Sequence, residues 1–146
     1  MPVVLYQPEI AANVGNIIRS CACFGAPLHI IEPLGFPLAA RDVRRAAMDY
    51  GRDVALTRHA TWDAYMKTPA RRVLFTTRGA VPLTDVALRP GDHLVFGRES
   101  AGVPDNVHAA ADARVLIPLE PDARSLNLSN AVAVALWEAL RQGSRP

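Results

Sequence analysis

A guanidinium and four hydrogen-bonding side chains crowd the start of an otherwise apolar run near the C-terminus. Arg124, Ser125, Asn127, Ser129 and Asn130 lead into Ala131-Val132-Ala133-Val134-Ala135-Leu136-Trp137. A buried helix needs one capping residue at its start. Surplus polar groups against a buried element cost free energy unless something pairs with them, so the segment reads as a ligand site or as an ornate N-cap with its spare amides in water. A second polar stretch, Asn13-Val14-Gly15-Asn16-Ile17-Ile18-Arg19, opens the first predicted helix. Asn13 is expected to cap that helix, whose free amides suit an anion. Arg19 follows six positions later, close to two turns, which predicts both residues on one side. Among Ile17, Ile18 and Cys21 it reads as a cation aimed at a phosphate, or as the partner of a structural carboxylate.

The third stretch is Phe96-Gly97-Arg98-Glu99-Ser100-Ala101-Gly102-Val103-Pro104. Gly97 and Gly102 permit close backbone approach or positive φ. The lone carboxylate Glu99 either meets a polar ligand or caps the next helix. The chain has no G-x-G-x-x-G and no G-x-x-x-x-G-K-[ST], so dinucleotide and P-loop readings lose support.

These stretches need a scaffold, and the chain alternates short apolar strands with helices. Strands are expected at Val3–Tyr6, Leu28–Ile31, Val54–Thr57, Val73–Thr77, Leu94–Gly97 and Val115–Ile117, and helices at Ala11–Phe24, Ala39–Met48 and Trp62–Lys67. A short helix after Pro104 and a final helix complete the pattern, with Gly143 to Pro146 read as a frayed tail. The fold class is α/β, a mostly parallel sheet flanked by helices. Ligands in such sheets bind at the carboxyl ends of strands. The 146 residues suit a single domain spanning 1–146.

Composition excludes several classes. Half the residues are hydrophobic and 21% are charged, which excludes wholesale disorder. No run approaches the roughly 20 apolar residues of a membrane span, and the start lacks a basic leader. Cys21 and Cys23 point apart on a predicted helix, offering neither a disulfide nor a zinc site, so a cytoplasmic protein without metal is expected. The net charge of +2 permits nucleic-acid binding without demanding it. The last helix is apolar nearly all round, which suggests a homodimer built partly on it, or packing on its own sheet with one stripe exposed.

Taken in order, the three stretches resemble the signature motifs of the SPOUT superfamily of S-adenosylmethionine-dependent RNA methyltransferases, in particular its small TrmL (YibK-like) subfamily. The likeness spans nearly the whole chain and includes Leu5 to Ile10, Gly15 to Arg19, His29 to Pro33, Arg44 to Ala46, Asp49-Tyr50 and Ser125 to Val132. The resemblance implies a C-terminal deep trefoil knot, which general topology rules would not propose. It implies S-adenosylmethionine as cofactor, near Phe75, Gly97, Ile117, Ser125 and Leu126. Asn13, Arg19, Glu99, Ser125 and Asn127 are implied around the reacting centre, with Arg98 and Ser100 bearing on substrate choice. The implied reaction is methylation of the ribose 2′-hydroxyl of the wobble cytidine or uridine, position 34, in tRNA-Leu-type isoacceptors.

With no appended RNA-binding domain, the catalytic body and its dimer partner must hold the tRNA anticodon stem-loop. Arg41, Arg44 and Arg45 fall at i, i+3 and i+4 on one helix face, with Arg52 nearby. They form a phosphate-binding patch or a solvated face partly neutralised by Asp42 and Asp49. Competing readings are a ribosomal RNA ribose methyltransferase and a knotted RNA-binding protein without catalysis. A phosphate-accepting signalling domain is disfavoured, because the strands end in Gln7-Pro8, Thr77-Arg78 and Gly97-Arg98 rather than in acidic clusters.

Overall fold

Short segments rich in apolar and β-branched residues, at most four residues long, form the sheet. In the computed structural model, which describes residues 1–143 apart from the side chains of 51 and 52, seven strands pair in a single sheet. They are β1 (Val3–Tyr6), β2 (Leu28–Ile31), β3 (Leu56–His59), β4 (Arg72–Phe75), β5 (Val81–Pro82), β6 (His93–Phe96) and β7 (Ala113–Leu116), in the order β3-β2-β1-β6-β4-β7-β5. Every strand pairing is parallel. Four α-helices lie between strands, α1 (Ala11–Phe24), α2 (Arg41–Ala47), α3 (Trp62–Met66) and α4 (Asp105–Ala109), and α5 (Leu128–Arg141) follows the last strand.

The two faces of the sheet are covered separately, as a parallel sheet requires. Val3, Leu5, Leu28, Ile30 and Leu94 pack under α1, α2 and α5, in one core with Val14, Ile17, Val43, Val132 and Leu136. Val4, Tyr6, Ile31, Leu74 and Val95 face the other way, under Tyr65 of α3 and Val107 of α4. The side-chain period of two along each strand divides these sets. Helices α1 and α2 cross at Gly15, where a Cβ would lie 2.5 Å from the Val43 carbonyl oxygen. That close crossing explains a glycine in the middle of an otherwise good helix.

Strand order reverses between β1 and β6, so the crevice at their carboxyl ends is a topological switch point. Several expected boundaries move. The third strand lies at Leu56–His59 rather than Val54–Thr57, because pairing with β2 sets its register and brings His59 Nε2 to 2.9 Å from His29 Nδ1. As a largely exposed edge strand it carries little hydrophobic signal. The second helix is shorter than expected and passes into a 3₁₀ turn at Met48–Arg52. β5 was not expected. It is two residues long, ends in Pro82 and sits on the sheet's edge, where a proline is tolerated.

Cys21 is buried, its thiol pushed up to about 12 by desolvation, and Cys23 is exposed, so the two point apart. Among the described residues no helix is long and apolar enough to cross a membrane. The expected fraying of the last residues falls largely on 144–146, outside the described residues.

Candidate active site

The carboxyl ends of β4, β6 and β7 and the starts of α1 and α5 enclose a cavity of about 490 Å³, within the usual range for small-molecule sites. Its apolar side includes Phe75, Val115, Ile117 and Leu126. Phe75 stacks on Phe96 with ring centroids 4.5 Å apart. Leu126 is 37% exposed, an apolar side chain left uncovered by its own chain at the cavity's edge. A flat aromatic ring on one side and loop backbone on the other suit a planar heteroaromatic group such as adenine. All five residues expected at the cofactor, Phe75, Gly97, Ile117, Ser125 and Leu126, line this one cavity.

Its polar side is a relay of side chains. Asn127 caps α5: its Oδ1 accepts from the backbone N–H of Ser129 at 2.9 Å and from Ser129 Oγ at 2.7 Å. With its oxygen so engaged, the Asn127 amide nitrogen donates to Asn13 Oδ1 at 2.9 Å. Asn13 Nδ2 then donates to Glu99 Oε1 at 3.1 Å. Each amide is oriented by the one before it, so the chain runs in one direction and ends on a carboxylate. In the Ser125–Asn130 segment Asn127 is the N-cap, as one of the two readings expects, and Ser125 lines the cavity.

Glu99 does not cap the helix that follows it; it holds the segment that leads into α1. The Glu9 and Ile10 backbone N–H groups donate to its two oxygens at 2.9 and 3.1 Å, at the start of α1. A carboxylate there also complements the positive end of the helix dipole. Asn13 is consequently not the cap of α1, as expected from sequence. Ile10 occupies that position without a side-chain bond, and Asn13 is a buried residue of the first turn.

The loop carrying Glu99 is closed by backbone. Arg98 and Gly102 exchange N–H···O bonds at 2.9 and 3.0 Å. Gly102 has φ 63, and a Cβ on Gly97 would lie 2.5 Å from the Gly102 carbonyl carbon, so both glycines do what their positions suggested. Sequence reasoning missed the flanking contacts. Ser100 donates through N–H and Oγ to Glu9 at 3.0 and 2.8 Å, which holds the Glu9 carboxyl below its ordinary range. Arg98 donates to Gln7 and lies over the Tyr6 ring, 5.5 Å from its centroid. The visible signal was the pair of polar residues, Gln7 and Glu9, directly after a buried strand.

Arg19 departs from expectation. Six residues advance a helix by about 600°, a whole turn plus roughly two thirds, so Arg19 faces away from Asn13. It is exposed and lies over the Tyr50 ring at 5.9 Å, outside the cavity lining of its own chain. Among the described residues it has no carboxylate partner, which removes the structural ion-pair reading. Asn13, Glu99, Ser125 and Asn127 do line the cavity.

Arg41, Arg44 and Arg45 are exposed on α2, whose Val43 and Ala47 are buried. Among the described residues neither Asp42 nor Asp49 forms an ion pair with them. The side chain of Arg52 lies outside the described residues.

Known proteins resemble this chain in sequence and fold. A tRNA (cytidine(34)-2'-O)-methyltransferase of Beijerinckia indica is 53% identical over 144 residues, covering 96% of this chain and 90% of that protein. A solved structure reported for insights into the 2-OH methylation of C/U34 on tRNA superposes with a TM-score of 0.92 at 45% identity, covering 96% of this chain and 93% of that one. The SpoU methyltransferase AviRb of Streptomyces viridochromogenes, solved with AdoMet, superposes at 0.90 with 25% identity, covering 98% of this chain and 57% of its own. The model of the SpoU rRNA Methylase family matches residues 1–137, which takes in the sheet, the relay and most of α5; the chain belongs to that family.

Proposed function

We propose that this protein transfers a methyl group from S-adenosylmethionine to the ribose 2′-hydroxyl of the wobble pyrimidine, nucleotide 34, of a tRNA. The observation that carries the reading is the meeting, in one cavity, of an apolar wall of Phe75, Ile117 and Leu126 with the Asn127–Asn13–Glu99 relay. The relatives and the superposed structures support the substrate and the methyl donor. When bound, the donor supplies an electrophilic methyl group on a sulfonium, with a neutral thioether as leaving group. Phe75, Ile117 and Leu126 would hold its adenine, and the backbone of Gly97 and Ser125 its polar edges.

The chain's own task is then to align the hydroxyl and manage its proton. Glu99 already accepts three protein donors, which suits positioning Asn13 better than free proton abstraction. Ser125 Oγ and the Asn127 amide stand at the cavity wall, where they can orient the ribose.

Arg19 supports a composite site. A guanidinium stays protonated in proteins, so its role is to stabilise a developing alkoxide or clamp the neighbouring phosphate. From its exposed place on α1 it serves the cavity of a second copy in a homodimer. Val134, Trp137 and Leu140 of α5 are 39%, 58% and 36% exposed and supply an apolar stripe for that contact. In this reading the C-terminal part forms the trefoil knot, and Arg41, Arg44 and Arg45 grip the anticodon stem-loop.

The test is incubation with isotopically labelled S-adenosylmethionine and total tRNA or ribosomal RNA, followed by mapping of the modified nucleotide. Label on the ribose of nucleotide 34 is expected; label confined to ribosomal RNA, or absent from both, overturns the reading.

A further inference from the structure

Beside the main cavity lies a second hollow of about 180 Å³, lined by Gln7, Glu9, Pro33, Leu34, Gly35 and Arg98. Arg98 borders both spaces, whereas its neighbour Glu99 borders only the larger. The walls of the hollow are fixed. The Gly35 N–H donates to the Pro8 carbonyl at 3.2 Å, and a Cβ on Gly35 would come within 3.0 Å of the Glu9 carbonyl oxygen. Gln7 turns the chain at the end of β1 with φ 47, in the left-handed region that a glutamine rarely occupies. Such conformations persist where surrounding contacts over-determine them, often at functional sites. Here its amide is held at both ends: Nε2 donates to the Glu32 carbonyl at 3.2 Å, and Oε1 accepts from Arg98.

The hydrogen-bonding inventory identifies what remains for a ligand. The Gln7 amide is engaged on both sides, and Glu9 accepts twice from Ser100. Arg98 uses one terminal nitrogen on Gln7 and spreads its plane over Tyr6. Its Nε is buried without a hydrogen-bond partner, and among the described residues its other terminal nitrogen has none either. The free terminal nitrogen of Arg98 therefore brings a cationic donor to a hollow that Pro33 and Leu34 also line, which suits a flat ring with an acceptor on its edge. In a pyrimidine nucleotide the O2 carbonyl lies on the ribose side of the base, close to the 2′-hydroxyl. Cytosine and uracil share O2 and differ at N3 and C4, away from the ribose.

We infer that Arg98 selects the acceptor nucleotide by donating to pyrimidine O2 within this hollow, while the ribose lies at Asn13, Glu99 and Asn127. The inference rests on the ribose-methylation reading and adds a substrate-recognition residue to it. Consecutive residues on one rigid loop then serve consecutive parts of one nucleotide: Arg98 the base and Glu99 the sugar. A site that reads O2 alone leaves the C4 edge unread and treats cytidine and uridine alike.

The experiment uses the whole protein and anticodon stem-loop RNAs differing only in the target base. Cytidine and uridine are expected to give kcat/KM values within about threefold of each other. 3-Deazauridine keeps O2 and serves as the reference for 4-pyridone riboside, which lacks it. The 4-pyridone target is expected to fall about tenfold or more below the 3-deazauridine target, the size of one lost guanidinium contact to a base edge. Arg98→Met, which keeps the aliphatic stem, is expected to bring that ratio to within about twofold. Because the ratio is internal to each enzyme, a less stable variant still reports it. Equal use of both analogues by the unmodified enzyme, or an unchanged ratio in Arg98→Met, overturns the inference and leaves ribose methylation standing. Failure to methylate any of the RNAs overturns both.

Discussion

Lowering the pH should loosen this fold through a histidine cluster far from the cavity. His93, at the start of β6, accepts or shares a proton with Tyr65 OH at 2.9 Å and is only 6% exposed. Burial drives its pKa down to about 4, helped by His29, Arg72, the N-terminal amine and His59. Burial also lowers His29, with help from His59, and lowers His59 itself. Tyr65 and Arg72 close the cluster from α3 and β4, and Asp92 adjoins it, bonded to Arg71 at 2.6 Å.

The sign follows from proton counting. The unfolded chain protonates His93 near pH 6.5 and the folded chain only near 4, so the unfolded state binds more protons between those values. Stability is full above about 6.5 and is lost as the pH falls toward 4. The whole window is worth at most about 3 kcal/mol. With allowance for solvent at the ring edge, about 2 kcal/mol is lost by pH 4.5. Glu138, held down to about 2 chiefly by Arg141, and Glu9, held below its ordinary range by Ser100, contribute mainly at lower pH. Urea unfolding at pH 7, 5.5 and 4.5 measures the effect, and His93→Gln should flatten most of it. A free energy that does not change over that range, or a slope undiminished in His93→Gln, refutes the claim that the cluster is held neutral by burial.

Four further outcomes follow from the geometry. Gly97→Ala forces a methyl group into the Gly102 backbone; about 2 kcal/mol of stability should be lost in chemical unfolding, and calorimetry should find S-adenosylhomocysteine bound at least about tenfold more weakly. Gly15→Ala gains about 1 kcal/mol of helix propensity but meets the Val43 carbonyl at 2.5 Å and the Ala46 Cβ at 2.6 Å, so thermal unfolding should show a net destabilisation of about 1–2 kcal/mol. Arg19→Ala should slow single-turnover methylation about a hundredfold or more while leaving S-adenosylhomocysteine affinity unchanged, because in the composite site the residue acts on the alkoxide or the neighbouring phosphate and not on the cofactor. Replacing Arg41, Arg44 and Arg45 with Gln should flatten the slope of log binding constant against log salt by about 2 in filter-binding titrations of tRNA.

The parallel sheet was legible because each buried strand is a short apolar run: Val3–Tyr6, Leu28–Ile31 and the centres of β4 and β6 stand out against their neighbours. β3 was misplaced because an exposed edge strand carries little of that contrast, and its register comes from β2 rather than from its own residues. The cavity-lining residues came from the motif resemblance, since no local rule brings Phe75, Ile117 and Leu126 to one wall. Asn13 was correctly singled out and wrongly used. The sequence contains a cap-forming residue at that spot, but its side chain is taken up by Asn127 and by Glu99, and Glu99 also holds the entry to α1 from 86 to 90 residues away along the chain. The pairings of Ser100 with Glu9 and of Arg98 with Gln7 are equally remote, and nothing short of the three-dimensional fold announces them.

Arg98, Glu99 and Ser100 are consecutive, and each is tied across to the segment between Gln7 and Asn13. Two sides of the chamber are thus bolted together and must travel as a single block. The stretch from Pro118 to Leu126 is exposed throughout, and the turn it makes is tied within itself by one main-chain bond, Ala123 to Glu120. Of the three sides this last one, exposed and bonded only within its own turn, is the one held least by the rest of the chamber.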